Sequence, residues 1–110
     1  MGPWGSFKMI HVIATIELVP GKKREFLEEF HRLVPLVRGE AGCVEYGPTA
    51  DVAAELPRQI PVRENVVTIL EKWEDLAALR AHLVAPHMGP YREKVKGLVS
   101  SVSLQVLSPT

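Results

Sequence analysis

A chain of 110 residues fills one domain and leaves no room for a second. Apolar residues make up 46% and charged residues 24%, ordinary for a globular protein and too hydrophobic for a disordered one. Thirteen Lys and Arg balance thirteen Asp and Glu, which argues against a nucleic-acid partner, whose counterions need a basic excess to displace them, and leaves little charge to oppose self-association.

The opening Met1-Gly2-Pro3-Trp4-Gly5-Ser6 has neither the basic nor the apolar region of a signal peptide. Residues 1–7 are therefore expected to be a disordered or expression-derived leader, with a single domain over 8–110. From about Lys8 to Val19 the chain alternates. Ile10, Val12, Ala14, Ile16 and Leu18 share one face, and Met9, His11, Ile13, Thr15 and Glu17 share the other. Period two with β-branched residues means a strand. Its second face is too apolar for open water, so a second copy of the molecule is expected to cover it.

Pro20-Gly21 breaks the strand, and a helix begins near Lys22. Phe26, Phe30, Leu33 and Val37 recur at helical spacing, with Leu27 and Val34 widening the stripe. Pro35 cannot donate its backbone hydrogen bond, so the helix should kink or end near there. Gly39 and Gly42 then release the chain. Val44-Glu45-Tyr46 reads as the core of a short second strand. Gly47 to Asn65 has no regular pattern and contains Pro48, Pro57 and Pro61. A connection this long is uncommon without a role, and it is expected to fold over a pocket mouth or a partner subunit.

Val66 to Trp73 is the third strand. Asp75 suits an N-cap, and Leu76, Leu79 and Leu83 read as a narrow buried stripe on the helix that follows, which Pro86 stops. Gly89-Pro90 can open a third helix, proline being at home in a first turn, with Tyr91, Val95 and Leu98 inward. A last strand places Val102, Leu104 and Val106 on one face and Ser101, Ser103, Gln105 and Leu107 on the other. The order β-α-β-β-α-α-β is the split βαβ of a ferredoxin-like α+β fold, a four-stranded antiparallel sheet with helices on one face. No apolar run approaches the roughly 20 residues of a membrane span. The lone Cys43 allows no internal disulfide and no zinc site of several thiolates. Both features point to a cytoplasmic protein.

Several stretches occur together: Val19-Pro20-Gly21-Lys22 before Glu25-Phe26-Leu27, Glu40-Ala41-Gly42-Cys43-Val44-Glu45-Tyr46, Leu70-Glu71-Lys72-Trp73-Glu74-Asp75, Leu79-Arg80-Ala81-His82-Leu83 and Pro86-His87-Met88. In this order they resemble the antibiotic-biosynthesis monooxygenase family, in particular its small quinol-monooxygenase-like members, over roughly Ile10 to Val106. The resemblance implies a homodimeric α+β barrel with a pocket in each subunit. It also implies oxidation of a quinol or polyphenol-like aromatic by molecular oxygen without flavin, metal or haem. The same scaffold hosts other chemistries, so fold alone does not choose among them.

Cofactor-free oxygenation requires a substrate anion, hence a base within hydrogen-bond reach of a phenol and oriented donors for the charge. His82, beside the leucine stripe, and His87, in the break between helices, are the candidate catalytic bases, since histidine titrates near neutrality. The alternative for each is a helix cap or a bond to a backbone carbonyl. Trp73 and Tyr46 are candidate pocket walls, with core packing as the alternative. Glu71 shares a strand face with Val67, Ile69 and Trp73 and needs a partner there; it is either a substrate contact or a structural acceptor. His11 faces the pocket or the dimer interface, the interface being favoured. His31 reads as a surface residue and Cys43 as a small buried one. No metal site is expected, because His82 and His87 are five residues apart across a proline with no further ligand nearby.

Two other enzymes fit the same scaffold. An isomerase of a small phosphorylated compound would need Arg63, Arg80 or Arg92 inside the pocket. A haem degrader would need an asparagine, and Asn65 lies only at a loop end. A third possibility is a dimeric domain that binds a small ligand without turning it over.

Overall fold

A computed structural model describes residues 9–110; the leader expected over 1–7 lies outside them. The elements are β1 (Ile10–Leu18), α1 (Lys23–Arg38), β2 (Cys43–Thr49), β3 (Val66–Trp73), α2 (Leu76–Leu83), α3 (Met88–Val95) and β4 (Val99–Leu107). The four strands pair antiparallel in the order β2-β3-β1-β4. β3 thus lies between β1 and β2, which defines the split βαβ arrangement.

Alternation decides which face of the sheet is covered. Val12, Ala14, Ile16 and Leu18 of β1 and Val67, Ile69, Glu71 and Trp73 of β3 are buried beneath the helices. Phe26, Phe30, Leu33, Val34 and Val37 of α1 supply the layer above them. The described residues measure 49 × 41 × 20 Å, and the short dimension is that of one helix layer on one sheet. Among the described residues, the opposite sheet face carries no second layer. Nor do the helices reach across β4: Val102, Leu104 and Val106 point to the helix side but remain 57%, 47% and 48% exposed.

β2 and α2 depart from two local expectations, while α1 ends close to where Pro35 and Gly39 place its end. Helix α1 runs on to Arg38 past Pro35. Pro35 is exposed, so water can serve the carbonyl it frees, while buried Val37 holds the last turn to the core. β2 continues through Gly47-Pro48-Thr49. As an edge strand it can spare the proline N–H. An irregularity in register between Cys43 and Glu45 turns Val44 outward, and it is 45% exposed. On α2, Leu76 and Leu83 are also largely exposed, and only Leu79 and His82 are buried.

That last helix sits where it does for two visible reasons. Asp75 caps it, its Oδ1 accepting from the Ala78 N–H at 2.8 Å. Gly42, at φ +83°, passes so close that a Cβ there would lie 2.5 Å from that of Ala78. The loop from Ala50 to Asn65 is held by Arg63, whose Nε and terminal nitrogen donate to Asp51 at 2.8 and 3.0 Å. This bidentate pair holds the Asp51 carboxyl at a pKa of about 2. Among the described residues no helix is long and apolar enough to cross a membrane.

Candidate active site

Between the helix layer and the sheet lies a cavity of about 520 Å³. Ala14, Ile16 and Ile69 of the central strands form its floor, Phe30 and Val95 its sides, and Val102 and Leu104 of β4 its open flank. Such an apolar hollow with a few polar groups is the usual form of a small-molecule site. The polar groups here are Tyr46, Glu71, His82 and Tyr91, with Arg92 and Lys96 towards α3.

His82 is the most constrained of them. It is 2% exposed, deeper than its place beside the leucine stripe suggests. Its ring lies 4.7 Å from that of Trp73 and 5.4 Å from that of Tyr46. Nδ1 stands 3.0 Å from Oε2 of Glu40. A carboxylate there makes Nδ1 the protonated nitrogen and leaves Nε2 as the basic one available to the cavity. A ring packed between two aromatics and tied to a carboxylate is held in one tautomer and one orientation.

Glu71 lies beside it with one oxygen committed, accepting from the Trp73 indole N–H at 2.9 Å. Burial raises the pKa of its carboxyl, and the Trp73 bond and nearby His82 offset only part of that. Tyr46 is 5% exposed. Burial, with Glu71 nearby, drives its phenol far above the ordinary tyrosine value. Tyr46 is therefore a proton-bearing donor and never a base near neutrality. Tyr91 is pushed the same way by burial.

The candidates separate into three groups. His82, Tyr46 and Glu71 are brought together around the cavity. Trp73 is not a wall: it is wholly buried behind His82 and supports both His82 and Glu71. His87 and His11 are not at the cavity either. His87 lines a groove elsewhere, with Glu29, Pro90 and Lys94, because Pro86 ends α2 and the chain turns before α3. His11 pairs between Lys72 and Leu107 on the uncovered sheet face. His31 is exposed as expected. Cys43 is half-buried, its thiol pKa raised by burial and by Glu40 and Glu71. No residue of the 50–65 loop lines the cavity.

Of the three arginines weighed for an anionic substrate, only Arg92 reaches the cavity, and its guanidinium donates to the Leu83 carbonyl at 2.8 Å. Arg63 is engaged with Asp51, and Arg80 is exposed. Asn65 is not among the cavity residues; its backbone carbonyl accepts from the Leu18 N–H at the end of β1. Among the described residues no three His, Cys, Asp or Glu side chains are arranged to hold a metal ion.

Glu40 was missed by sequence reasoning. It stands at the head of the stretch Glu40-Ala41-Gly42-Cys43, but its partner His82 is 42 residues away. Nothing local to either residue announces the pair.

A split βαβ sheet with an apolar cavity under its helices, and a carboxylate-oriented histidine in the cavity wall, define a small ferredoxin-like domain with a candidate ligand cavity. More narrowly, the chain belongs to the family "Antibiotic biosynthesis monooxygenase", whose sequence pattern matches residues 9–94. It is 41% identical over 103 residues to the Escherichia coli K12 protein named "Probable quinol monooxygenase YgiN", covering 92% of this chain and 98% of that one. The solved structure of PA3566 from Pseudomonas aeruginosa superposes with a TM-score of 0.76 at 27% identity, over 94% of this chain and 95% of that one. A conserved protein from Methanosarcina mazei Go1 superposes with a TM-score of 0.78, over 96% of each chain; at 23% identity it speaks for the fold alone.

Proposed function

We propose that this chain is a cofactor-independent monooxygenase that oxidises a quinol or related electron-rich phenol with molecular oxygen in the cavity beneath its helices. The observation that carries the proposal is the oriented base in an apolar wall: His82, with Nδ1 held by Glu40 at 3.0 Å and Nε2 left to the cavity. A neutral phenol reacts slowly with triplet oxygen. Its anion gives up an electron far more readily, so removing the phenolic proton is the step a protein without a redox group can supply.

Each cavity group then has a part. Nε2 of His82 takes the phenolic proton. Tyr46, whose phenol stays protonated, donates a hydrogen bond to the developing oxyanion. The oxygen of Glu71 left free by Trp73 accepts from a second hydroxyl, which favours a quinol over a simple phenol. Phe30, Ile69 and Val95 pack against the ring and exclude water. The family and the name of the Escherichia coli relative support the same reading.

Oxygen uptake with quinols and anthrones by chelator-treated protein tests it. The wild type should accelerate uptake, and His82→Ala should lower kcat by about 10²- to 10⁴-fold. A wild type that never exceeds buffer sinks the proposal. Arg92 and Lys96 beside the cavity favour one second reading, an isomerase of a small phosphorylated compound. Competition of inorganic phosphate with substrate would point to it.

A homodimer is part of the proposal. The uncovered sheet face bears Ile13 and Leu70, the latter 45% exposed, and a second copy laid against it would complete a barrel. A cytoplasmic location is also proposed, in keeping with the single free thiol of Cys43.

A further inference from the structure

Glu40 bonds two histidines at once, and they belong to two different hollows. Its Oε2 lies 3.0 Å from Nδ1 of His82 and 2.6 Å from Nε2 of His87. His82 lines the inner cavity. His87 lines a separate groove of about 200 Å³ between α1 and α3, with Glu29, Arg32 and Lys94. Side-chain exposure rises along the series, from 3% at His82 to 12% at Glu40 and 21% at His87. A structural clamp would need only one of these contacts to hold the His82 ring.

We propose that Glu40 and His87 form a proton exit from the cavity, carrying the proton accepted by His82 through the helix layer to the outer groove. This rests on the reading of His82 as the cavity base. The bookkeeping involves no electron transfer. The substrate O–H breaks as the His82 Nε2–H bond forms. The Nδ1–H of His82 then breaks as Glu40 Oε2 gains a proton. Glu40 passes that proton to Nε2 of His87 in its Nδ1–H tautomer, and His87 releases the Nδ1 proton to water. The path runs backwards when product takes up its proton. Because His82 is 2% exposed, a proton left on it would hold a charge with little water to solvate it, and the route to the groove relieves that.

The charged and titratable groups around the path on the inner side are Glu71 of β3, Tyr46 and Cys43 of β2, Arg38 of α1, and Arg92 and Lys96 at α3. Tyr91 of α3 lines both hollows without a hydrogen bond to either histidine. Glu29 and Arg32 of α1 and Lys94 of α3 lie on the outer side. None of them bridges the two histidines; Glu40 does.

The key variant is His87→Ala in the full chain, at a partly exposed position where folding should survive, checked by circular dichroism. Its turnover in dilute buffer should fall at least about tenfold with KM unchanged, and added imidazole should restore it. The wild type should be indifferent to imidazole. A His87→Ala protein that turns over like the wild type in dilute buffer, or one that imidazole does not rescue, overturns the exit. A readout that needs no catalysis separates this from failure of the oxygenase reading. In ¹⁵N NMR, Nδ1 of His82 and Nε2 of His87 should both show hydrogen bonds to Glu40, and His87→Ala should move the ring nitrogen shifts of His82. If the wild type consumes no oxygen, the oxygenase reading falls and the NMR experiment still decides the relay. Ring shifts of His82 that His87→Ala leaves untouched overturn it.

Discussion

Glu71 shows how one buried carboxylate ties stability to chemistry. Burial raises its pKa from an ordinary 4.5, so the folded protein holds that proton more tightly than the unfolded chain does. Ionisation therefore costs stability. The cost is absent below the ordinary carboxylate range and complete above the raised value. Glu71→Gln keeps a carbonyl oxygen for the Trp73 N–H and cannot ionise. It should melt above the wild type at pH 8, with the gain fading as pH falls through the raised value and gone by about pH 4; paired thermal melts at the two pH values check this. The same variant loses the anionic acceptor proposed for a second substrate hydroxyl, so it should discriminate less between quinols and monophenols. At this scale the sequence was partly legible. His82, Tyr46 and Glu71 stood out because each is a polar group on an otherwise apolar face. Glu40 did not, since its role exists only once the chain has returned to bring α2 over the turn before β2.

The position of the proposed base depends on α2, an eight-residue helix too short to be stable alone. It is fixed by the Asp75 cap at one end and by Ala78 lying on Gly42. Gly42→Ala meets two obstacles, a left-handed backbone and a 2.5 Å approach to another Cβ. We expect a loss of about 1–3 kcal/mol in denaturant unfolding. We also expect a larger fall in kcat than in stability would explain, because α2 must move and His82 with it. Alternation and helical spacing revealed β1, β3 and α1, whose burial follows one simple period. They misread α2, where two exposed leucines mimic a stripe and a histidine occupies the buried position. They also shortened β2, because Gly47-Pro48 looks like a break and the tolerance of an edge strand cannot be seen locally.

At the scale of the whole molecule, the described residues form a slab about 20 Å thick and leave one sheet face bare. The apolar second face of β1 already hinted at a missing layer, and the proposed partner supplies it. Light scattering should give twice the 12.2 kDa chain mass. Leu70→Arg, which places a charge at the centre of the bare face, should give a monomer. A wild-type monomer at high concentration would remove the barrel from the proposal. What the sequence could not show was the reach of the helices. Their contact with β2 and their absence over β4 follow from the crossover and loop lengths, which set where each helix lands, and no residue pattern encodes that.

The two margins of the sheet are chemically unlike. On the β2 margin Pro48 interrupts the row of N–H donors, so an incoming strand finds no continuous ladder to bind; β4 runs from Val99 to Leu107 with no proline. Any strand from another chain is thereby steered to one side of the molecule. Two copies joined along that side would present only their proline-blunted margins, and growth would stop there. Pro48 thus works against strand-by-strand growth at the β2 margin.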